Sequence, residues 1–212
     1  AGFGVPAGLA DGLDLVVHCA AVTGFSLDAE TYEQVNVAGA ANALAFAGSV
    51  PLLHVSTAYV CGLRSGLILE RELDAGQAFA NGYERSKAAA EGLVAVARDQ
   101  GRAVAVARPS VVVGASGNGV IGVFGSIYGL IRLVAEGRIR TLPVAAGASL
   151  DLVPIDHVIG GLTDIAERML ARRFTWCPVR RCRSRSWPTW RWTTPACMRR
   201  AWWRLGSSTR VR

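Results

Sequence analysis

Leu52-Leu53-His54-Val55-Ser56 reads as a short, nearly continuous apolar strand, and the segments on either side decide what kind of sheet it joins. Upstream, Asp28 to Ala47 reads as a helix closed by Gly48, and Leu13 to Cys19 is an earlier buried strand. Downstream, Asn81 to Gln100 reads as a helix ended by Gly101, and the strand Ala103 to Ala107 follows and stops at Arg108-Pro109. Strand and helix alternate, which predicts βαβ units and hence an α/β fold with a parallel sheet covered by helices. Farther along, Phe124 to Glu136 reads as a helix closed by Gly137, Leu150 to Val153 as a short extended piece, and Asp156 to about Leu170 as a last helix. Asp156 is placed as the N-cap of that helix, where a carboxylate suits the positive end of the helix dipole.

At 212 residues and 51% hydrophobic, the chain is long enough for one substantial core. A net charge of +7 would ordinarily point to nucleic acid or an anionic membrane, but the charge is unevenly spread. Residues 1–170 hold 11 basic against 16 acidic side chains, whereas 171–212 hold 12 arginines and no acid. The basic signal therefore belongs to the tail, and neither nucleic acid nor a membrane is expected as a partner of the body. From Pro109 to Ile131 no residue is charged, yet the glycines at 114, 117, 119, 122 and 125 interrupt the run and argue against a membrane span. The five cysteines are odd in number and show no metal-ligand spacing, as expected of a reduced, cytoplasmic protein without a metal site. No basic segment leads into an apolar stretch at the N-terminus, so no signal peptide is expected.

All six tryptophans and three of the five cysteines lie beyond Ala171, where no amphipathic period survives. An Arg/Trp-rich tail could bind nucleic acid through phosphate contacts and stacking. The competing reading is a shifted frame: tryptophan has a single codon, and with G/C-rich codons Ser186 to Trp203 read two bases later returns to the Ala, Val, Leu and Asp composition of the body. The organisation expected is a partial α/β domain over 1–170 and a frameshifted or disordered tail over 171–212.

Tyr83-Glu84-Arg85-Ser86-Lys87 carries the chemistry. Tyr83 and Lys87 stand four apart on the helix and project from one face. A phenol is a poor acid or base at neutral pH, and an ammonium beside it stabilises the phenolate and lowers its pKa. The strand Leu53-His54-Val55-Ser56-Thr57, continuing into Ala58-Tyr59-Val60-Cys61-Gly62, ends in two hydroxyls, Ser56 and Thr57, where a parallel sheet binds its ligand. His18, His54 and His157 form no triad or metal grouping and are read as structural, as is Asn36.

These two stretches, 26 residues apart between Thr57 and Tyr83, resemble the extended short-chain dehydrogenase/reductase family, the NAD-dependent epimerase/dehydratase superfamily. Four further stretches match it in order: Asp14 to Ala21, Asn36 to Asn42, Arg108 to Gly114 and Leu152 to Val158. Cys61 departs from the family pattern, which has an aromatic residue there. The resemblance implies a Rossmann-like sheet, NAD or NADP as cofactor and a small-molecule substrate. It implies that Thr57 polarises the substrate carbonyl, that Tyr83 exchanges the proton, and that Lys87 holds the cofactor ribose. Ala20, Ala21, Ser56, Lys87, Arg108, Pro109, Ser110 and Val111 would line the cofactor. A homodimer through the helices at 28–47 and 81–100 is a further implication.

Family members open with a strand and a Gly-x-x-Gly-x-x-Gly turn, which this sequence lacks, and the chain is expected to be missing roughly three strands at its start. Such a piece would leave a sheet edge uncovered, with poor solubility or no independent fold as the expected result, and the piece is expected to be inactive. Within the family, Val123 to Asp156 resembles the fatty-acyl and thioester reductase, or male-sterility-like, branch. Reduction of an acyl thioester or related carbonyl is therefore the leading expectation. A nucleotide-sugar epimerase or dehydratase, and a non-catalytic remnant or basic nucleic-acid-binding module, are the alternatives.

Overall fold

A computed structural model describes residues 3–6, 8–122, 126–141 and 150–171, so the expected tail lies outside the described residues. Contacts divide the chain into two units, one formed by 1–122 with 149–182 and the other by 123–148 with 183–212.

The first unit holds both sheets. Strands β1 (Val16–His18), β2 (Leu52–Val55) and β3 (Val104–Ala107) are parallel and lie in the order β1-β2-β3. Parallel neighbours need a crossover between them, and helices supply it, as the alternation in the sequence requires. Helix α1 (Ala29–Tyr32), a π-turn (Glu33–Val37) and α2 (Ala38–Ala47) connect β1 to β2. Helix α3 (Gly82–Asp99) connects β2 to β3. The single helix expected over 28–47 is thus broken by a π-turn. Asp28 caps α1, its carboxylate accepting from Thr31 N at 2.7 Å, and Asn81 caps α3 by accepting from Glu84 N at 2.9 Å.

Alternate residues of the central strand face opposite layers. Leu52 packs with Ala43, Leu44 and Ala47 of α2, Val94 and Ala97 of α3, and Val104. Leu53 packs the other way with Ala105, Ala107 and Met169, flanked by Leu162, Ile165 and Ala166. Those last residues belong to α5 (Ile155–Leu170), so helices cover the sheet on both sides. This is a Rossmann-like α/β arrangement. Among the described residues β1 pairs with β2 alone, and Val17 at its free edge is exposed.

Strands β4 (Val111–Val113) and β5 (Leu152–Pro154) form a separate two-stranded parallel sheet. Ser110 Oγ donates to the Asp151 carbonyl and ties the entrances of the two strands. The N-cap expected at Asp156 is not the one found. Pro154 occupies that position, Asp156 lies inside the first turn of α5, and its carboxylate accepts from Ser116 N at 2.9 Å and Ser116 Oγ at 2.6 Å. The carboxylate thereby ties the glycine-bearing 114–119 turn to the start of α5. In the second unit α4 (Ser126–Ala135) is the described element, and Arg132 pairs with Glu136 near its end. No described helix is long and apolar enough to cross a membrane.

Leu52 is fully buried between two helices, so Leu52→Ala should lower the unfolding free energy by about 2–5 kcal/mol, measured by urea denaturation.

Candidate active site

The carboxyl end of β2 runs into Thr57, which starts a short 3-10 turn (Ala58–Cys61) and caps it by accepting from Tyr59 N at 3.3 Å. Thr57 Oγ1 also donates to the Pro109 carbonyl at 3.5 Å, while Ser56 N and Ala58 N donate to Ala107 and Pro109. The strand end is therefore stitched to the end of β3. Gly62 closes the turn at φ +58, with the Ala78 carbonyl 2.2 Å from where a Cβ would stand, so a side chain is excluded there.

Helix α3 brings Tyr83 and Lys87 over this end. Lys87 is buried, and its Nζ donates to the Val55 carbonyl at 2.8 Å. The Tyr83 phenol lies near enough to the Thr57 hydroxyl to feel it, and its ring takes an edge-to-face contact from Phe25, with ring centroids 6.0 Å apart. Thr57, Tyr83 and Lys87 thus converge at the end of one strand.

Burial pushes the Tyr83 phenol above its usual pKa, the Thr57 hydroxyl opposes that rise, and the Glu84 charge adds to it. The expectation that Lys87 draws this phenol down is not met in this state: desolvation dominates, and the Lys87 nitrogen is turned to Val55. Lys87 itself is lowered by burial, against the charges of Glu91 and Cys19.

The cofactor-lining candidates divide. Ala20 is exposed and Ala21 half-buried at the end of β1, in a loop that Asn36 holds: Val22 N donates to Asn36 Oδ1 at 2.8 Å and Asn36 Nδ2 donates back to the Val22 carbonyl at 3.1 Å. Asn36 Nδ2 also donates to Ser86 Oγ at 2.8 Å, next to Lys87. Asn36 therefore braces the loop after β1 against α3, and it sits in the π-turn that turns it inward. Ser56 Oγ is buried with no partner among the described residues. Lys87 keeps ammonium protons beyond the one given to Val55, so this corner offers donors that suit the hydroxyls of a ribose. Pro109 and Val111 are half-buried on either side of Ser110, whose hydroxyl is taken by Asp151. The Arg108 guanidinium is committed within the protein to Glu91 and to the Glu70 and Glu72 carbonyls.

His18 and His54 are register partners on β1 and β2, and their rings stack with Nδ1 atoms 3.0 Å apart. The sequence reading treated them singly and missed the pair, which only the register of β1 against β2 brings together. A hollow of about 290 Å³, lined by Pro51, Arg102, Ala103 and Met169 among others, lies at the opposite, amino ends of β2 and β3. Ligands of such sheets bind at the carboxyl ends, so it is not the site. Among the described residues no group of three or more His, Cys, Asp or Glu side chains could hold a metal ion.

The Male sterility protein family, an NAD-binding family, matches residues 7–162, most of the chain and every residue of the site above. The chain belongs to that family. Over 63 residues, 28% of the chain, it is 46% identical to Probable fatty acyl-CoA reductase 5 of Arabidopsis thaliana and covers 13% of that protein. Fatty acyl-CoA reductase 8 of the same plant is 44% identical over a stretch of equal length. Among solved structures, the terminal R domain of the myxalamid PKS-NRPS biosynthetic pathway is similar with a TM-score of 0.66 and 28% identity, over 76% of this chain and 42% of that one. RMD from Pseudomonas aeruginosa, complexed with NADPH, is similar with a TM-score of 0.54 and 26% identity, over 73% and 56%. The chain of this Male sterility family member thus spans about two-fifths of the R domain and a smaller share of the plant reductase it matches. NAD or NADP is the cofactor of this fold, as the resemblance in the sequence implied.

The histidine pair has a pH consequence. Burial, Lys87 and His18 lower His54 to about 3, and burial and Lys87 lower His18 as well. Both rings therefore stay neutral in the folded state where an unfolded histidine, near 6.5, takes a proton. The unfolded chain binds more protons below that point, so the stability His54 contributes is full above pH 6.5 and is lost as pH falls toward 3, by about 1.4 kcal/mol per pH unit in that window; the lowering of His18 acts in the same direction. Urea midpoints between pH 7 and 4 should fall more steeply for the wild type than for His54→Phe.

Proposed function

We propose that this domain serves an NAD(P)-dependent reductase of acyl thioesters, with Thr57, Tyr83 and Lys87 as its reaction centre. The observation that carries the reading is the convergence of the Thr57 hydroxyl and the Tyr83 phenol at one strand end, with Lys87 anchored beside them on Val55. Similarity to the two plant fatty acyl-CoA reductases and to the R domain supports an acyl substrate.

Bound NAD(P)H would supply a hydride to the carbonyl carbon of the thioester. Thr57, turning its one hydroxyl proton away from the Pro109 carbonyl, would donate a hydrogen bond to the carbonyl oxygen and stabilise the charge that develops there. Tyr83, held above its usual pKa, keeps its proton at neutral pH and delivers it from the phenolic oxygen to that same oxygen. The hydroxyl proton then returns to the Tyr83 phenolate as the carbon–sulfur bond breaks and the carbonyl re-forms, releasing the aldehyde and a thiolate that takes a proton from water. Lys87 would hold the ribose hydroxyls through the ammonium protons that Val55 does not take, and Ser56 would offer its free hydroxyl on the same side. A phenol that retains its proton suits reduction, in which the enzyme gives a proton, better than oxidation, in which it must take one.

Calorimetric titration with NADH and NADPH, followed by assay with an acyl-CoA and with a UDP-sugar, tests the reading. In a whole reductase that carries this domain, turnover of the acyl-CoA is expected, and turnover of the UDP-sugar alone would reject the reading in favour of an epimerase. In an active preparation, Tyr83→Phe should reduce kcat by about 100-fold or more while leaving cofactor affinity unchanged, and Lys87→Met should weaken the cofactor itself.

A further inference from the structure

Every nitrogen of the Arg108 guanidinium is engaged inside the protein. Nε donates to both carboxylate oxygens of Glu91 at 2.9 and 3.1 Å, and Nη2 pairs with the same carboxylate. Nη1 donates to the backbone carbonyls of Glu70 and Glu72 at 3.1 and 3.0 Å. The Arg108 and Glu91 side chains are 17% and 5% exposed, so this is a buried pair rather than a surface one. Three segments meet at the one cation: the end of β3, helix α3 through Glu91, and the loop between the 3-10 turn and α3.

Glu91 lies four residues beyond Lys87, on the same face of α3. Fixing Glu91 fixes the rotation of the turn that carries Lys87 to the Val55 carbonyl. The fork also engages the loop that leads from Thr57 to Tyr83. That loop is braced internally by Arg64 against Glu72, and by Glu72 Oε1 accepting from Leu69 N at 3.1 Å.

We propose that Arg108 is a positioning residue of the Thr57/Tyr83/Lys87 centre, clamping Glu91 of α3 and the 70–72 loop to the end of β3 so that Lys87 stays over Val55. The inference rests on reading Lys87 as the group that meets the cofactor ribose. A planar fork with five donors can serve a carboxylate and two carbonyls at once, whereas a lysine ammonium cannot reproduce that geometry. Without the guanidinium, a buried carboxylate one turn from Lys87 is left unpaired and competes with Val55 for the ammonium. The Glu91 charge already pulls the Lys87 pKa upward, so the coupling exists in the intact site.

Lys87 is the sole lysine of the chain, so isotopic labelling of lysine reports on it alone. In the full chain, Arg108→Met should raise the Lys87 titration midpoint measured by NMR, and Glu91→Gln, which removes the competing charge, should lower it. Backbone amides of residues 63–80 should exchange about tenfold faster in Arg108→Met than in the wild type, with α5 unchanged. Should Arg108→Met fail to fold, Arg108→Lys, which keeps the charge and loses the fork, should show the same loop acceleration. Unchanged loop exchange in the folded arginine variant, or shifts of Lys87 in the same direction in Arg108→Met and Glu91→Gln, would overturn the proposal. None of these measurements uses turnover or cofactor, so failure here leaves the proposed role of Lys87 standing, and an inactive chain leaves the clamp standing.

Discussion

A lysine ammonium withdrawn from water must find acceptors, and in this fold the acceptor of Lys87 is the Val55 carbonyl, at the end of the central strand. That bond joins α3 to β2 where the parallel sheet opens, and much of the surrounding architecture keeps the two in register. The Asn36 side chain links the loop after β1 to Ser86, the neighbour of Lys87, and Ser86 Oγ donates onward to the Tyr83 carbonyl. Arg108 grips Glu91 one turn farther along the same helix. Lys87 is thus bracketed by polar clamps on both sides, each drawn from a different strand-to-helix connection.

Electrostatics around this centre follow from burial more than from pairing. Tyr83 is raised chiefly because its charged form would lie in a poorly hydrated corner, and His54 is lowered for the same reason with the opposite sign. A phenol that holds its proton and a histidine pair that refuses one make a site without extra positive charge beside Lys87. The stacked rings of His18 and His54 also join β1 to β2 beneath the loop that carries Ala20 and Ala21.

Much of the fold was legible because apolar runs and glycine-closed helices repeat at the spacing a parallel sheet demands. Leu13 to Cys19, Leu52 to Ser56 and Ala103 to Ala107 correspond to β1, β2 and β3, the first trimmed at both ends and the others by one residue at one end, where backbone pairing rather than composition sets the limit. The π-turn at Glu33–Val37 was not legible, since it serves a single buried side chain, Asn36, whose partners lie 14 and 50 residues away. Asp156 was misjudged as a cap because its partner, Ser116, is 40 residues distant.

By itself the sequence determined the βαβ order, the presence of Tyr83 and Lys87 on one helical face, and a hydroxyl at the end of the preceding strand. These depend on local period and on short spacings along the chain. Only the tertiary structure decided that Arg108 pairs with Glu91, that Lys87 turns to Val55 rather than to Tyr83, and that two histidines 36 residues apart share one contact. The reason is physical: partners of a buried polar group are chosen by whatever the folded core brings within hydrogen-bonding reach, and that reach is set across elements, not along the chain.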